Sequence, residues 1–234
     1  HYEVSGKGEV ALVFVHGWIG NGSWWNSQRD VFSDQYKIVQ IDLAGHGKSG
    51  RNRKKYSVES YAEDIVAVVE DLKLDQVVLV GHSMSGSNVL YAAKLLGPQR
   101  TKLIVFVDTL HDLDHMPGMT EMTPFFEQMK MNYVATVEAA FPMYMFAKTS
   151  PSDVVKRVVS EARAVEGELS INLLMPFYTT DIRSLCSEIK IPVKAINSDL
   201  FPTALENNRK YFPEFSAEII KGVGHYPMLE ASGE

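Results

Sequence analysis

The chain has 234 residues, 45% hydrophobic and 22% charged, which is enough apolar material for one sizeable core in an ordinary soluble domain. Its formal net charge of −6 argues against a nucleic-acid or anionic-membrane partner, since both favour a basic face. The lone cysteine, Cys186, excludes an internal disulfide framework and reads as a partly buried apolar thiol, and no apolar stretch is long enough to span a bilayer. The sequence opens at His1 with no charged-then-apolar signal segment, which fits a cytoplasmic chain or one exported after such a segment is removed.

Short β-branched runs alternate with longer helical patterns, the mark of a mostly parallel sheet flanked by helices. An edge strand is expected at 2–5, turning at Gly6-Lys7-Gly8, and further strands at 10–15, 36–41, 76–80, 102–107, 191–196 and 217–220. Residues 58–72 carry apolar side chains at helical spacing behind Ser57, a good N-cap. A second helix over 84–96 stops before Gly97-Pro98. Beyond His111 the strand rhythm ceases for about 75 residues, too long for a structureless loop in a compact domain, so a helical insertion is expected there. It is rich in Met and aromatic side chains, from Met116 and Met122 to Phe177 and Tyr178. These serve as apolar helix faces, and they also suit a pliable apolar pocket.

Directly after the run Val77-Val78-Leu79-Val80 comes Gly81-His82-Ser83-Met84-Ser85-Gly86, which places a serine on a tight strand-to-helix turn. A serine hydroxyl attacks only when a base removes its proton, and small neighbours let its Oγ project clear of the backbone. The expected base is His225, in Gly222-Val223-Gly224-His225-Tyr226-Pro227 after the last strand. The expected acid is Asp199, just beyond a strand end where catalytic groups gather, with Asp108 at the end of the strand before the insertion as its competitor. Main-chain N–H groups of Met84, next to the serine, and of Trp18, in the glycine-containing loop Val15-His16-Gly17-Trp18-Ile19-Gly20, are candidate oxyanion donors. His16 reads as a support for that loop. Neither it nor His46, His82, His111 and His115 forms a metal-ligand spacing, so no metal is expected.

His16-Gly17-Trp18, Asp42 through Ser49, Gly81 through Gly86 and Gly224-His225-Tyr226-Pro227, in that order, make the chain resemble the α/β-hydrolase superfamily, in its capped, esterase-like bacterial branch. The resemblance covers nearly the whole sequence. It implies an eight-stranded, mostly parallel sheet with a cap after the sixth strand, a Ser83-His225-Asp199 triad, and an oxyanion hole from the main chain of Trp18 and Met84. Residues 1–110 and 189–234 would form the hydrolase core and 111–188 the cap. Ser85 stands where the family elbow has its second glycine, as in related hormone-receptor hydrolases whose turnover is slow. The family usually adds a last helix against the sheet after the histidine. With Glu234 soon after His225, the expectation is either a trimmed chain or a face covered by something else.

A serine at the elbow argues against the haloalkane dehalogenases and epoxide hydrolases of this superfamily, which use aspartate. Acyl transfer to water remains, with carboxylic esters leading, lactones or activated amides next and carbon–carbon bond hydrolysis after them. The apolar cap points to a small-molecule substrate with a neutral, hydrophobic acyl or alcohol group, and no cofactor is expected. The alternative is a ligand-binding sensor of the same fold with slow turnover.

Overall fold

The computed structural model describes residues 1–233. Seven strands form one sheet: β1 (Tyr2–Gly6), β2 (Val10–Val15), β3 (Lys37–Ile41), β4 (Gln76–His82), β5 (Thr101–Val107), β6 (Val193–Ser198) and β7 (Ser216–Ile220). Their spatial order is β1-β3-β2-β4-β5-β6-β7, with β1 antiparallel to β3 and every other pairing parallel. Parallel strands need covering on both faces, and Val13, Val15, Val77 and Leu79 in the central strands are accordingly inaccessible to water.

The resemblance implies eight strands and an insertion after the sixth; the described residues contain seven, with the insertion after the fifth.

Helices α1 (Asn26–Phe32), α2 (Val58–Asp71) and α3 (Ser85–Arg100) cover the sheet. In α2 the buried residues Val58, Tyr61, Ala62, Ile65 and Val69 fall on one face. Its start is fixed by a reciprocal box: Ser57 Oγ accepts from Ser60 N at 3.1 Å, and Ser60 Oγ accepts from Ser57 N at 3.0 Å. In α3 the helical path breaks at Gly97, at φ 73°, immediately before Pro98.

Between β5 and β6 lie α4 (Met119–Tyr144), α5 (Ser152–Arg163), α6 (Gly167–Thr179) and the single turn α7 (Arg183–Cys186). α4 packs on α5 and α6. It is two helical pieces joined at Asn132, whose backbone is extended and whose Oδ1 caps the second piece by accepting from Ala135 N at 3.1 Å. Two tryptophans of the β2–α1 segment fasten this layer to the sheet domain. Trp18 Nε1 donates to Ser170 O at 2.8 Å, and Trp24 Nε1 to Glu161 Oε2 at 2.7 Å.

The short helices α8 (Leu205–Arg209) and α9 (Pro227–Glu230) flank β7. An apolar groove opens between α1 and α9 over Leu12, Phe14, Val78, Val80, Val105 and Val107. Among the described residues no helix is long and apolar enough to cross a membrane. Cys186 is fully buried, more so than expected, and burial pushes its thiol up to about 12.

Three histidines sit in the core under the sheet's C-terminal edge. His16, His46 and His82 are almost without exposure, and burial lowers His16 to about 4, His82 to about 3 and His46 well below its ordinary value. In the unfolded chain each titrates near pH 6.5, so below about that pH the unfolded chain binds protons that the folded one refuses. Stability should therefore fall as pH drops from about 7 to 5, at up to about 4 kcal/mol per pH unit for the three together. Urea unfolding across this range measures it, and a flat profile would mean that the folded protein accommodates these rings as cations.

Candidate active site

At the end of β4 the chain turns into α3 over two residues, Ser83 and Met84. Ser83 adopts φ 54°, a left-handed conformation uncommon for serine, and its N–H donates to Val107 O at 3.1 Å, which ties the turn to the end of β5. The glycines are needed for close approach. A Cβ at Gly81 would lie 2.4 Å from Ser85 O, and one at Gly86 would lie 2.6 Å from Thr109 Cγ2. Strand geometry would send His82 and Ser83 to opposite faces, but the turn at Ser83 breaks that alternation.

Ser83 Oγ lies 2.8 Å from His225 Nε2, and His225 Nδ1 lies 2.6 Å from Asp108 Oδ2. With the carboxylate accepting from Nδ1–H, Nε2 is left to accept the serine proton. The carboxylate against the imidazole is thus that of Asp108, and the expected Asp199 is elsewhere. Its Oδ1 accepts from Gly222 N at 2.9 Å, and its side chain is exposed. Sheet order is the physical reason. β5 is the immediate neighbour of β4, so its end lies beside the elbow, whereas Asp199 follows β6, one strand further out, and is held by the loop after β7.

Asp108 has no exposure and a φ of 45°. Its Oδ1 accepts from Ser198 N at 2.7 Å and from His111 Nε2 at 3.3 Å. Burial alone would raise its pKa, but hydrogen bonds from His111 and His225 and the attraction of both rings outweigh it and hold the carboxyl below its ordinary range. The carboxylate therefore stays ionised.

The loop after β2 meets the elbow from the other side. A Cβ at Gly17 would lie 2.9 Å from Ser83 Cβ, so only glycine lets this loop pass, and Ile19 follows at φ 54°. His16 supports it as expected: its Nε2 accepts from Leu43 N at 3.1 Å and its Nδ1 donates to Gly17 O at 2.7 Å. Ser85 Oγ donates to His16 O at 2.5 Å. The serine that replaces the elbow glycine thus ties the start of α3 to the loop that carries Trp18.

The comparisons with known proteins agree with this architecture. Residues 10–160 match the model of the family described as the α/β hydrolase fold. The chain belongs to that family. A Petunia hybrida protein named karrikin insensitive 2 receptor CA is 24% identical over 243 residues, covering 98% of this chain and 90% of its own length. An esterase from Exiguobacterium antarcticum superposes with a TM-score of 0.87 at 20% identity, over 100% of this chain and 91% of its own. The enol-lactonase from Burkholderia xenovorans gives 0.82 at 18%, over 100% and 92%. At such identities the structural likenesses establish the fold.

In this α/β hydrolase a cavity of about 460 Å³ lies between the elbow and the two helices α4 and α6. Ser83 and His225 line it, with Trp18, Phe125, Phe141, Leu174, Phe177 and Tyr178 supplying an apolar wall. Of the insertion's methionines, Met116, Met122 and Met145 reach the cavity, Met129 is buried in helix packing, and Met131 and Met143 are exposed. Phe201 and Tyr144, both exposed in part, also border the cavity, as does a polar edge of His111, Asp112 and His115. Among the described residues no cluster of His, Cys, Asp or Glu is arranged to hold a metal ion.

Two contributors, His111 and Ser198, escaped the sequence reading. His111 carried a usable signal, standing three residues after an aspartate at a strand end. Ser198 acts through its main chain, which no residue type reveals. Removing the Ser85 hydroxyl leaves the buried His16 carbonyl without that donor, so Ser85→Ala should lower stability by about 1–3 kcal/mol in urea unfolding. A change under about 0.5 kcal/mol would show that the bond contributes little.

Proposed function

We propose that the protein is a serine hydrolase that cleaves carboxylic esters of small to medium, neutral, hydrophobic molecules through an acyl-enzyme. The carrying observation is the unbroken hydrogen-bonded series from Ser83 Oγ through His225 to the buried carboxylate of Asp108, opening on an apolar cavity. In this reading Ser83 Oγ attacks the ester carbonyl while His225 Nε2 takes its proton. The N–H groups of Trp18 and Met84 receive the oxyanion, each worth about 3 kcal/mol in comparable sites. Collapse of the tetrahedral adduct expels the alcohol, which leaves with the proton from His225. Water, deprotonated by the same nitrogen, then attacks the acyl carbonyl; the second tetrahedral adduct collapses with cleavage of the bond to Ser83 Oγ, the carboxylic acid leaves, and His225 returns the proton to Ser83. Asp108 remains ionised throughout and stabilises the imidazolium.

Residues 111–188 act as the cap that shapes the acyl and alcohol sites. The apolar wall favours an alkyl or aryl group over a charged one, and lactones fall within the same chemistry, as the likeness to an enol-lactonase suggests. A second reading, a ligand-binding sensor with slow turnover, draws on the likeness to the petunia receptor along nearly the whole chain.

Ser83→Ala should reduce hydrolysis of short p-nitrophenyl esters at least about a thousandfold without loss of fold. Near-normal turnover by this variant would defeat the assignment. Asp108→Asn should cost about a thousandfold or more in kcat, whereas Asp199→Asn should stay within about threefold, and the reverse ranking would restore Asp199 as the acid. Steady-state release of p-nitrophenol separates the two readings, since many rapid turnovers exclude the sensor and a burst followed by a slow phase supports it.

A further inference from the structure

His82 is the one buried imidazole beside the site that the proposed mechanism leaves without a task. It ends β4, immediately before Ser83, with 1% exposure. Its Nε2 lies 2.7 Å from the main-chain carbonyl oxygen of His225, which can only accept, so Nε2 carries the proton. Its Nδ1 is buried with no hydrogen-bond partner, and a Cβ at Gly17 would lie 2.6 Å from it. The ring is boxed against Gly17, Trp24 and Tyr226 and tilted over the His225 ring at a centroid distance of 4.8 Å.

The other peptide group of His225 is occupied as well: its N–H donates to Met145 O, just after α4, at 2.7 Å. The same segment holds the loop again where Thr149 Oγ1 donates to Gly222 O at 2.6 Å. The base is therefore suspended between the insertion and the elbow.

We infer that His82 is a positioning residue, whose neutral imidazole grips the His225 carbonyl while the adjacent Ser83 engages the His225 ring. This rests on the proposed roles of Ser83 and His225. Two consecutive side chains then hold one residue at two points, and the distance between nucleophile and base is fixed within a single peptide unit. A donor here must also be uncharged, because His225 becomes a cation during each acyl transfer and a second cation beside it would oppose that step. A buried imidazole meets both demands, since burial first and the neighbouring His225 second keep it neutral at physiological pH.

The test pairs two variants with one measurement on the unaltered protein. His82→Phe keeps the ring and removes the donor. It should lower kcat for p-nitrophenyl esters about 10- to 100-fold with KM nearly unchanged, and slow fluorophosphonate capture of Ser83 in parallel. His82→Gln restores a neutral donor and should recover most of the loss. In the unaltered protein, nitrogen-15 NMR of labelled histidines, with His82 assigned by its absence from the His82→Gln spectrum, should show an Nε2–H tautomer that does not titrate between about pH 8 and 5.

A folded His82→Phe variant within about twofold of normal kcat would overturn the inference, as would an Nδ1–H tautomer or a titrating His82. The NMR result decides the matter even if the phenylalanine variant does not fold. Failure of the Ser83 and His225 assignment would appear separately, as activity surviving Ser83→Ala.

Discussion

A carboxylate with no access to water organises this site. Ionised Asp108 would be strongly unfavourable in the core without compensation, and its compensation comes from His111, three residues on at the start of the insertion, and from two distant parts of the chain, the main chain of Ser198 at the end of β6 and His225 after β7. Each of these donors must arrive at the C-terminal edge of the sheet, which the parallel register of β4, β5 and β6 ensures. The charge thus couples the fold to the site. Its electrostatic demand can be met only when the central strands are paired as observed, and once it is met, the imidazole has one defined tautomer and one defined orientation.

The insertion is bound to this arrangement rather than laid over it. Trp18 and Trp24 bond to α6 and α5 through their indole N–H groups, and Met145 offers its carbonyl to the main chain of His225. A large displacement of the helices would have to release these donors and move His225 as well. Substrate size is then governed by adjustment of the side chains around the cavity, where Met116, Met122 and Met145 supply flexible apolar surface. The same linkage gives the sensor reading a physical basis, since a ligand pressing on Met145 acts on the His225 loop directly.

Much of this was legible in the sequence where local physics decides the outcome. The Ser57 cap, the stop at Gly97-Pro98, the β-branched strands and the crowded elbow around Ser83 each follow from short-range rules, and all lie where expected within a residue or two. Asp199 misled because Asp108 and Asp199 both follow apolar strands, and chain order does not say which strand neighbours β4. Sheet order decides that, together with a positive φ at Asp108 that no propensity of aspartate foretells with certainty. The elbow is a second place where spacing alone leaves the packing open. The position that must lack a Cβ beside Thr109 is 86, and at 85 a hydroxyl fits and finds an acceptor in the next loop.

With Asp108, at the end of β5, against the imidazole of His225, the turn beyond β6 is free of that contact. The Asp199 carboxylate accepts from Gly222 N, its own N–H donates to Ile220 O, and two residues later Phe201 borders the cavity. That turn borders the cavity without joining the Ser83–His225–Asp108 hydrogen-bonded series. Replacing Phe201 would therefore reshape the cavity's border without removing any member of that series, so the contour of the pocket and the geometry beside Ser83 can vary separately.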